Sequence, residues 1–269
     1  MTFGDLERPP LDADALRSAL VGPGSLWTDV VVTSSTSSTN ADLAVAASQG
    51  APEGTIHTTD HQTAGRGRLD RSWEAPAGSG ITVSVLLRPT RIPASRWVWL
   101  PLLVGLAVDA TVNGFEVAAG LKWPNDVLVG DRKLAGILLE RVETPSGPAA
   151  IVGVGLNVSM REDELPVDTA TSLAIEGASE TDRTIVLRSF LRNLESLYGS
   201  WLASDGDPAA GIRDSYTRRC ATIGRRVRVA MPDGIVIEGE ATALDEHGRL
   251  VVGDQAVSAG DVTHVRSVT

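Results

Sequence analysis

The chain has 269 residues, of which 42% are hydrophobic and 22% charged, and it carries a formal net charge of −10. This length and balance are typical of a globular protein with one large and one small domain, and they exclude a disordered chain. The acidic charge argues against a broad nucleic-acid-binding face, because phosphate neutralisation needs an excess of clustered Lys and Arg. Cys220 is the only cysteine, which excludes an internal disulfide and a cysteine-based metal cluster.

Neither the first residues nor the apolar runs indicate targeting or membrane insertion. Residues 1–10 contain Asp5, Glu7 and Arg8 and lack the apolar core of a secretory signal. The longest apolar run, residues 98–112, is shorter than the roughly 18 residues of a membrane span and is predicted to be a buried helix. We therefore expect a soluble, cytoplasmic protein that does not bind membranes.

Hydrophobic periodicity predicts alternating helices and strands over most of the chain. Thr39 and Asp42 fit a capping box at the start of the second helix. Gly153 and Gly155 lie inside a predicted strand, where glycine indicates a bulge or a group close to the backbone. The predicted helices cover residues 11–21, 41–49, 93–113 and 184–202, with a shorter one ending near Arg219, and the predicted strands cover residues 30–33, 54–59, 80–88, 127–129, 134–139 and 150–158.

The last fifty residues have a different pattern. Short β-rich runs at 227–229, 235–237, 250–252 and 262–265 are separated by the turn signals Pro-Asp-Gly at 232–234 and Glu-His-Gly at 246–248. Such a succession predicts a small barrel. We therefore predict two domains, residues 1–220 and residues 221–269.

A loop with two glycines and three arginines, Gly-Arg-Gly-Arg-Leu-Asp-Arg-Ser-Trp at 65–73, carries the first chemical signal. It matches neither a P-loop nor a complete dinucleotide-binding motif. Its glycines nevertheless allow backbone N–H groups to approach an anion, and Arg66, Arg68 and Arg71 supply charge-assisted hydrogen bonds. The loop is either a lid over a polyanionic ligand or a solvent-exposed loop with incidental arginines. Trp73 is either a stacking partner for a ring or a packing anchor.

The second signal is the segment Lys-Trp-Pro-Asn-Asp at 122–126, followed by Lys133 in a predicted hairpin. Pro124 stiffens this corner, and Asp126 is a candidate Mg²⁺ ligand or nucleotide hydrogen-bond acceptor. The alternative is a type I turn in which Asn125 and Asp126 bond to their own backbone. Lys133 by itself is equally compatible with an exposed hairpin lysine.

Four motifs occur together in one order: the arginine–glycine loop, Lys-Trp-Pro-Asn-Asp, Arg-Lys-Leu-Ala-Gly-Ile-Leu at 132–138 and Gly-Val-Gly-Leu-Asn at 153–157. This combination resembles the biotin protein ligases over residues 33–158, and the C-terminal segment is similar to the small SH3-like domain of that family. The resemblance implies an α/β (α+β) catalytic domain with a mixed sheet flanked by helices, followed by a small SH3-like β-barrel.

The resemblance also implies a two-step ligase reaction. Biotin and MgATP first give biotinyl-5′-AMP and pyrophosphate, and a lysine of the biotin carboxyl carrier domain of an acyl-CoA carboxylase then takes the biotinyl group and releases AMP. Cations are needed because the carboxylate and the triphosphate repel each other. A mobile lid would protect the reactive adenylate from water.

Residue roles follow from the positions that match the family motifs. The implied catalytic residues are Lys133, Arg66, Arg68 and Lys122. The implied biotin-binding residues are Ser38, Thr39, Asn40, Gln62, Gly65, Arg66, Gly67, Arg68, Lys133, Gly136 and Gly155. The implied nucleotide-binding residues are Arg68, Trp73, Lys122, Asn125, Asp126 and Asn157, and the implied metal ligand is Asp126.

The sequence departs from the family pattern at two places. Asp70 stands where the loop commonly has glycine, which predicts a stiffer loop. About thirty residues precede the matching region, too few for a helix-turn-helix domain, so we expect no sequence-specific DNA binding. We also expect a monomer.

Three alternative functions remain open from the sequence alone. A ligase or transferase of the same fold could act on lipoate or octanoate, because fold does not decide substrate. A non-enzymatic regulator could bind biotinyl-adenylate without transferring it. Generic RNA binding through the arginine–glycine loop is the third, although a single such pair is not a repeated tract.

Overall fold

The computed structural model describes residues 8–69, 71–258 and 260–265. Asp12 and Asp182 cap the first and fourth helices, where their carboxylates accept hydrogen bonds from backbone N–H groups that would otherwise lack partners. The α-helices are α1 (Ala13–Leu20), α2 (Thr39–Ser48), α3 (Leu100–Gly114), α4 (Arg183–Ala203) and α5 (Ile212–Arg219), with short 3-10 helices at Ala94–Trp99, Glu162–Glu164 and Pro208–Ala210.

The strands form one large mixed sheet, one smaller antiparallel sheet and one two-residue ladder. They are β1 (Asp29–Thr33), β2 (Thr55–Thr59), β3 (Gly65–Arg66), β4 (Ser72–Trp73), β5 (Gly80–Leu87), β6 (Gly120–Lys122), β7 (Asp126–Val129), β8 (Arg132–Thr144), β9 (Gly147–Asn157), β10 (Arg226–Ala230), β11 (Val236–Leu244), β12 (Leu250–Val252), β13 (Gln255–Val257) and β14 (Asp261–His264). The large sheet has the order β1-β2-β5-β9-β8-β7-β6; β1 pairs with β2 in parallel, and all other neighbouring strands of the sheet pair antiparallel. The predicted mixed-sheet architecture is therefore confirmed.

Helices cover both faces of the large sheet, and the alternation of side chains along β5 shows which helix lies on which face. Val85 and Leu87 belong to the large core that includes α3 and α4, whereas Leu86 packs with Leu43 of α2. Because successive side chains of a strand point to opposite faces, α2 lies on the face opposite to α3 and α4. Ser84 shares the α2 face, which is the face that carries the candidate site.

The C-terminal segment forms a five-stranded antiparallel sheet in the order β13-β12-β11-β10-β14. The strand-rich pattern is confirmed, and β13 is an additional strand that the sequence did not indicate. In the described part of the chain β13 and β14 are not paired with each other, so the hydrogen-bonded ladder does not close. Val227, Val229 and Leu250 of this sheet join the same hydrophobic core as α3. The domain boundary near residue 220 stays a prediction.

The start of α2 differs from the prediction. Ser38, with extended backbone, is the N-cap, and its side chain accepts a hydrogen bond from the Ala41 N–H at 3.4 Å. Thr39 is already helical, and its N–H bonds to Gln62 Oε1 at 2.9 Å. The capping box of Thr39 and Asp42 is wrong because the Asp42 carboxylate is taken by the Thr36 hydroxyl.

The long apolar segment after Pro93 is a buried core element. Its first six residues form the 3-10 helix Ala94–Trp99, and α3 follows directly. Together they make one segment, Ala94–Gly114, long and apolar enough to cross a membrane by length and composition alone. In its most apolar window 72% of the segment is buried inside the fold, which confirms the predicted core helix.

Candidate functional site

A cavity lies on the α2 face of the large sheet, between the sheet, the start of α2, the loop 65–73, the corner 122–126 and strand β14. Two of the residues predicted for the site, Gly65 and Asn157, are not among its lining residues. All the others line it: Ser38, Thr39, Asn40, Gln62, Arg66, Gly67, Arg68, Trp73, Lys122, Asn125, Asp126, Lys133, Gly136 and Gly155.

The floor of the cavity is made by glycines on β8 and β9, which leave the sheet bare. A Cβ atom at Gly153 would lie 2.4 Å from Asn40 Oδ1, and one at Gly155 would lie 2.2 Å from the Trp73 indole. A Cβ at Gly136 would meet both the Lys133 side chain at 3.1 Å and the Trp73 ring at 3.2 Å. The predicted close approach at the strand glycines is therefore real, and the approaching groups belong to the site itself.

Buried polar side chains close one end of the cavity beside α2. The Ser84 hydroxyl lies 2.7 Å from Thr39 Oγ1 and 2.6 Å from Asn40 Oδ1. Asn40 Nδ2 donates to Glu140 Oε2 at 2.6 Å. Asn40 and Thr39 are 6% and 2% exposed, so their side chains hydrogen-bond to protein partners rather than to water. Such a fixed set of donors and acceptors can recognise a small polar ring.

The loop 65–73 is a short hairpin in which Arg66 pairs with Ser72 and Gly65 with Trp73. Gly65 is required there, because a Cβ would lie 2.2 Å from the Trp73 carbonyl oxygen. The three arginines have separate partners: Arg66 pairs with Glu140 at 3.3 Å, Arg68 donates to Asn125 Oδ1 at 3.1 Å, and Arg71 pairs with Asp261.

Burial lowers the pKa of the Arg68 guanidinium, against the attraction of Asp126 and Asp261. An arginine nonetheless stays charged at neutral pH. The predicted stiffening of the loop by Asp70 concerns a residue outside the described ranges.

The corner 122–126 presents its polar side chains to the cavity while Trp123 is buried. The Trp123–Pro124 peptide bond is cis. Asn125 bonds across to β8 through its Nδ2 and its backbone carbonyl, with distances of 3.0 and 2.9 Å to the backbone of Ile137. Asn125 therefore does more than cap its own turn.

Lys133 lies at the centre of the cavity's charges. Its Nζ is 2.7 Å from Asp126 Oδ1 and 5.6 Å from the centre of the Trp73 ring. The backbone of Lys133 bonds to Thr169 and Thr171, which fixes the strand that carries it. Lys122 and Lys133 are the only lysines of the chain, and both line this cavity.

The C-terminal sheet contributes to the site, which the sequence did not indicate. Gly260, Asp261 and Val262 line the cavity. Behind the corner, the backbone N–H of Trp123 donates to Thr222 Oγ1 at 3.2 Å, and this oxygen is 3.1 Å from His264 Nε2. The sequence holds no local signal for these contacts, because the partners are 99 and 42 residues apart along the chain.

Asn157 does not line the cavity, and its side chain is hydrogen-bonded within the fold. Its side chain is 4% exposed and donates from Nδ2 to the Thr171 carbonyl oxygen at 2.8 Å. Its role in nucleotide binding stays a prediction. Within the described ranges, no group of three or more His, Cys, Asp or Glu side chains could hold a metal ion.

Comparison with family models finds two matches along the chain. Residues 31–157 match the Biotin/lipoate A/B protein ligase family, and residues 222–265 match the biotin protein ligase C-terminal domain. The first match covers the large sheet, α2 and the predicted motifs, and the second covers the C-terminal sheet.

Relatives with curated names agree with these matches. The chain is 43% identical to the biotin–[acetyl-CoA-carboxylase] ligase of Mycobacterium tuberculosis over 99% of this chain and 100% of that protein. It is 36% identical to the bifunctional ligase/repressor BirA of Bacillus spizizenii, over 89% of this chain and 72% of that protein. Among solved structures, biotin protein ligase from Aquifex aeolicus in complex with biotin and ATP superposes with a TM-score of 0.74 at 27% identity, covering 90% of this chain and 100% of that one.

Proposed function

The chain belongs to the biotin protein ligase family, and from that membership we propose that it adenylates biotin with ATP and transfers the biotinyl group to a lysine of a biotin carboxyl carrier domain of acyl-CoA carboxylases. The observation that carries the proposal is the convergence of Arg66, Arg68, Lys122 and Lys133 on one glycine-floored cavity. An anionic acid and a nucleotide triphosphate need such a set of cations before they can approach each other.

In the first step, a carboxylate oxygen of biotin attacks the α-phosphorus of ATP. A new O–P bond forms, the bond to the β-phosphate oxygen breaks, and the electron pair leaves with pyrophosphate. Lys133 would neutralise the charge at the junction between carboxylate and phosphate, and its pairing with Asp126 at 2.7 Å holds the ammonium in position beforehand. Arg66 and Arg68 would close over the product.

In the second step, the ε-amine of the carrier lysine attacks the acyl carbon of biotinyl-5′-AMP. The C–O bond to AMP breaks and the amine loses a proton as the amide forms. The buried side chains of Thr39 and Asn40, together with Gln62, whose Oε1 accepts the Thr39 backbone N–H, would hold the ring end of biotin during both steps. The acid would thereby extend along the bare floor toward Lys133.

We propose that Mg²⁺ enters with ATP, with Asp126 as the protein ligand. Mg²⁺ commonly binds through one or two carboxylates together with substrate phosphates and waters, so the Asp126 carboxylate fits it. Bound there, it would neutralise charge on the phosphates. The absence of a larger acidic group among the described residues agrees with a metal that depends on the nucleotide.

We also propose that the protein acts as a cytoplasmic monomer and does not bind DNA. Its net charge of −10 supports the last point, because a DNA-binding face needs clustered cations. Sedimentation with and without biotin plus ATP tests the oligomeric state, and a specific gel shift on a biotin-synthesis promoter would contradict the DNA prediction.

The first experiment is biotin-dependent exchange of labelled pyrophosphate into ATP, with lipoate in parallel and Lys133→Ala as the variant. We expect exchange with biotin, and a loss of at least about a hundredfold in Lys133→Ala, because the variant loses a charge used in the transition state. Exchange with lipoate alone would move the chain to lipoate chemistry. Adenylation without transfer to any carrier domain would indicate a regulator that binds the adenylate.

A further inference from the structure

Glu140 joins two parts of the site through one carboxylate. Its Oε2 accepts the hydrogen bond from Asn40 Nδ2 at 2.6 Å, and its Oε1 lies 3.3 Å from Nη2 of Arg66. Asn40 belongs to the first turn of α2, and Arg66 belongs to the loop 65–73. Glu140 is outside the lining of the cavity, and no motif in the sequence singled it out.

The position of Glu140 follows from the register of β8. Gly136 and Leu138 line the cavity, and side chains two residues apart on a strand share a face, so Glu140 continues that row toward α2. Gly153, opposite Leu138 on β9, has no side chain, and the Asn40 amide occupies the space above it. Asn40 can therefore reach both β5 and Glu140.

The carboxylate decides which way the Asn40 amide points. An ionised carboxylate only accepts hydrogen bonds, so it must face the NH₂ end of the amide. The carbonyl end then faces the Ser84 hydroxyl at 2.6 Å. Without Glu140, the amide could turn over, and the donors and acceptors at the ring end of the cavity would change.

The contact with Arg66 has a different character. The side chains of Arg66 and Glu140 are 55% and 33% exposed, and pairs in water add little to stability. The pair instead restricts where the first arginine of the loop lies relative to the cavity. A restricted cation costs less reorganisation when charge develops in the reaction.

We propose that Glu140 is a positioning residue for adenylation, which orients the Asn40 amide with one oxygen and restrains Arg66 with the other. The inference rests on the proposed function and adds a residue to it. The effect on Asn40 and the effect on Arg66 should therefore be separable by two substitutions of Glu140. Glu140→Gln keeps an acceptor for Asn40 but loses the charge that attracts Arg66, whereas Glu140→Ala loses both.

The test measures KM for biotin, KM for ATP and kcat of pyrophosphate exchange. In Glu140→Ala we expect KM for biotin to rise about tenfold, the size of one lost hydrogen bond to a charged group. In Glu140→Gln we expect KM for biotin within about twofold of wild type and kcat about tenfold lower, since only the Arg66 restraint is lost. KM for ATP should stay unchanged in both.

The matched control is Glu143→Gln, on the same strand, where Glu143 is exposed and pairs with Arg141 at 2.7 Å. It should behave as wild type. A double-mutant cycle of Glu140→Ala with Asn40→Ala distinguishes positioning from a general loss of structure. If Glu140 acts through Asn40, the two effects on KM for biotin will not add.

Three outcomes decide the matter. Wild-type exchange with biotin, together with the separated effects and the non-additive cycle, supports the inference. Glu140 variants that match Glu143→Gln, or additive effects in the cycle, overturn it while the proposed function stands. Absence of biotin-dependent exchange in the wild type overturns the proposed function, and the inference with it.

Discussion

At Gly155, β9 passes beneath the Trp73 indole without a side chain of its own. Trp73 in turn lies 5.6 Å from the Lys133 ammonium, so one ring contacts the floor and the central cation. The sequence left Trp73 open between a stacking partner and a packing anchor. In the structure it packs on the glycine floor and also lines the cavity, so it is a packing anchor, while its stacking on a ligand ring stays a prediction.

Gly155→Ala should displace the Trp73 ring, because the added methyl would lie 2.2 Å from it and β9 is fixed by strands on both sides. Overpacking of this kind costs about 1–3 kcal/mol, and we expect KM for biotin to rise about tenfold or more. Gly199→Ala in α4 is the control, since nothing lies within 4 Å of the added atom. Unchanged biotin binding in Gly155→Ala would contradict this view of the floor.

At the scale of elements, the corner 122–126 is held from the C-terminal sheet. Arg225 Nη1 lies 3.2 Å from His264 Nδ1, and because a guanidinium only donates, Nδ1 must accept. The neutral ring then carries its proton on Nε2 and donates it to Thr222 Oγ1. The same oxygen accepts a hydrogen bond from the backbone N–H of Trp123. Burial, followed by Arg225 and Lys122, lowers the pKa of His264 to about 4.

The shift in His264 makes stability depend on pH. The folded state binds this proton less readily than the unfolded state, whose histidine pKa is about 6.5. The contribution of neutral His264 to the free energy of unfolding is therefore complete above about pH 6.5, and it is lost as pH falls from there toward 4. We expect His264→Gln, which can make both hydrogen bonds without titrating, to remove about 1–2 kcal/mol of this dependence after allowance for the partly exposed ring.

The measurement is the free energy of unfolding by urea at several pH values between 4 and 7. His247→Gln is the control, because His247 is exposed and its contact with Glu246, at 3.5 Å, is a surface contact. Equal pH slopes for wild type and His264→Gln would show that the ring is not held as a neutral acceptor.

The elements and the cavity motifs could be predicted from sequence because their signals are local. The alternation of Ile81, Val83 and Val85 identifies β5, and glycine inside β9 indicates a close contact. Glu140, Asp261 and His264 could not be found in this way. Their roles depend on partners that only the sheet order and the packing of the C-terminal sheet bring near.

At the scale of the whole molecule, the distribution of amines matters. The chain has 24 basic residues, and its two lysines both lie in the cavity, so the basic residues elsewhere are arginines. An acyl adenylate reacts with a neutral amine, whereas a guanidinium stays protonated at neutral pH and does not attack. The exterior therefore offers few side chains that the proposed intermediate could modify.

We expect the wild-type protein, incubated with biotin and MgATP without a carrier, to gain no biotin on side chains outside the cavity, where it has no lysine. Arg132→Lys, next to Lys133 and 42% exposed, should become labelled. Arg17→Lys on α1, exposed by 48%, should be labelled less because neither it nor its chain neighbours line the cavity. Peptide mapping by mass spectrometry reads each site, and equal labelling of the two variants would contradict the prediction.

The pairing of Arg71 with Asp261 also has a consequence during synthesis on the ribosome. The cavity residues through Gly155 emerge first, whereas Gly260, Asp261 and Val262 follow more than a hundred residues later. At about 5–20 residues per second, that interval lasts roughly 5–20 s. Until it ends, the nascent chain holds its arginine loop without the Asp261 partner, so the full lining of the cavity is assembled only after that interval.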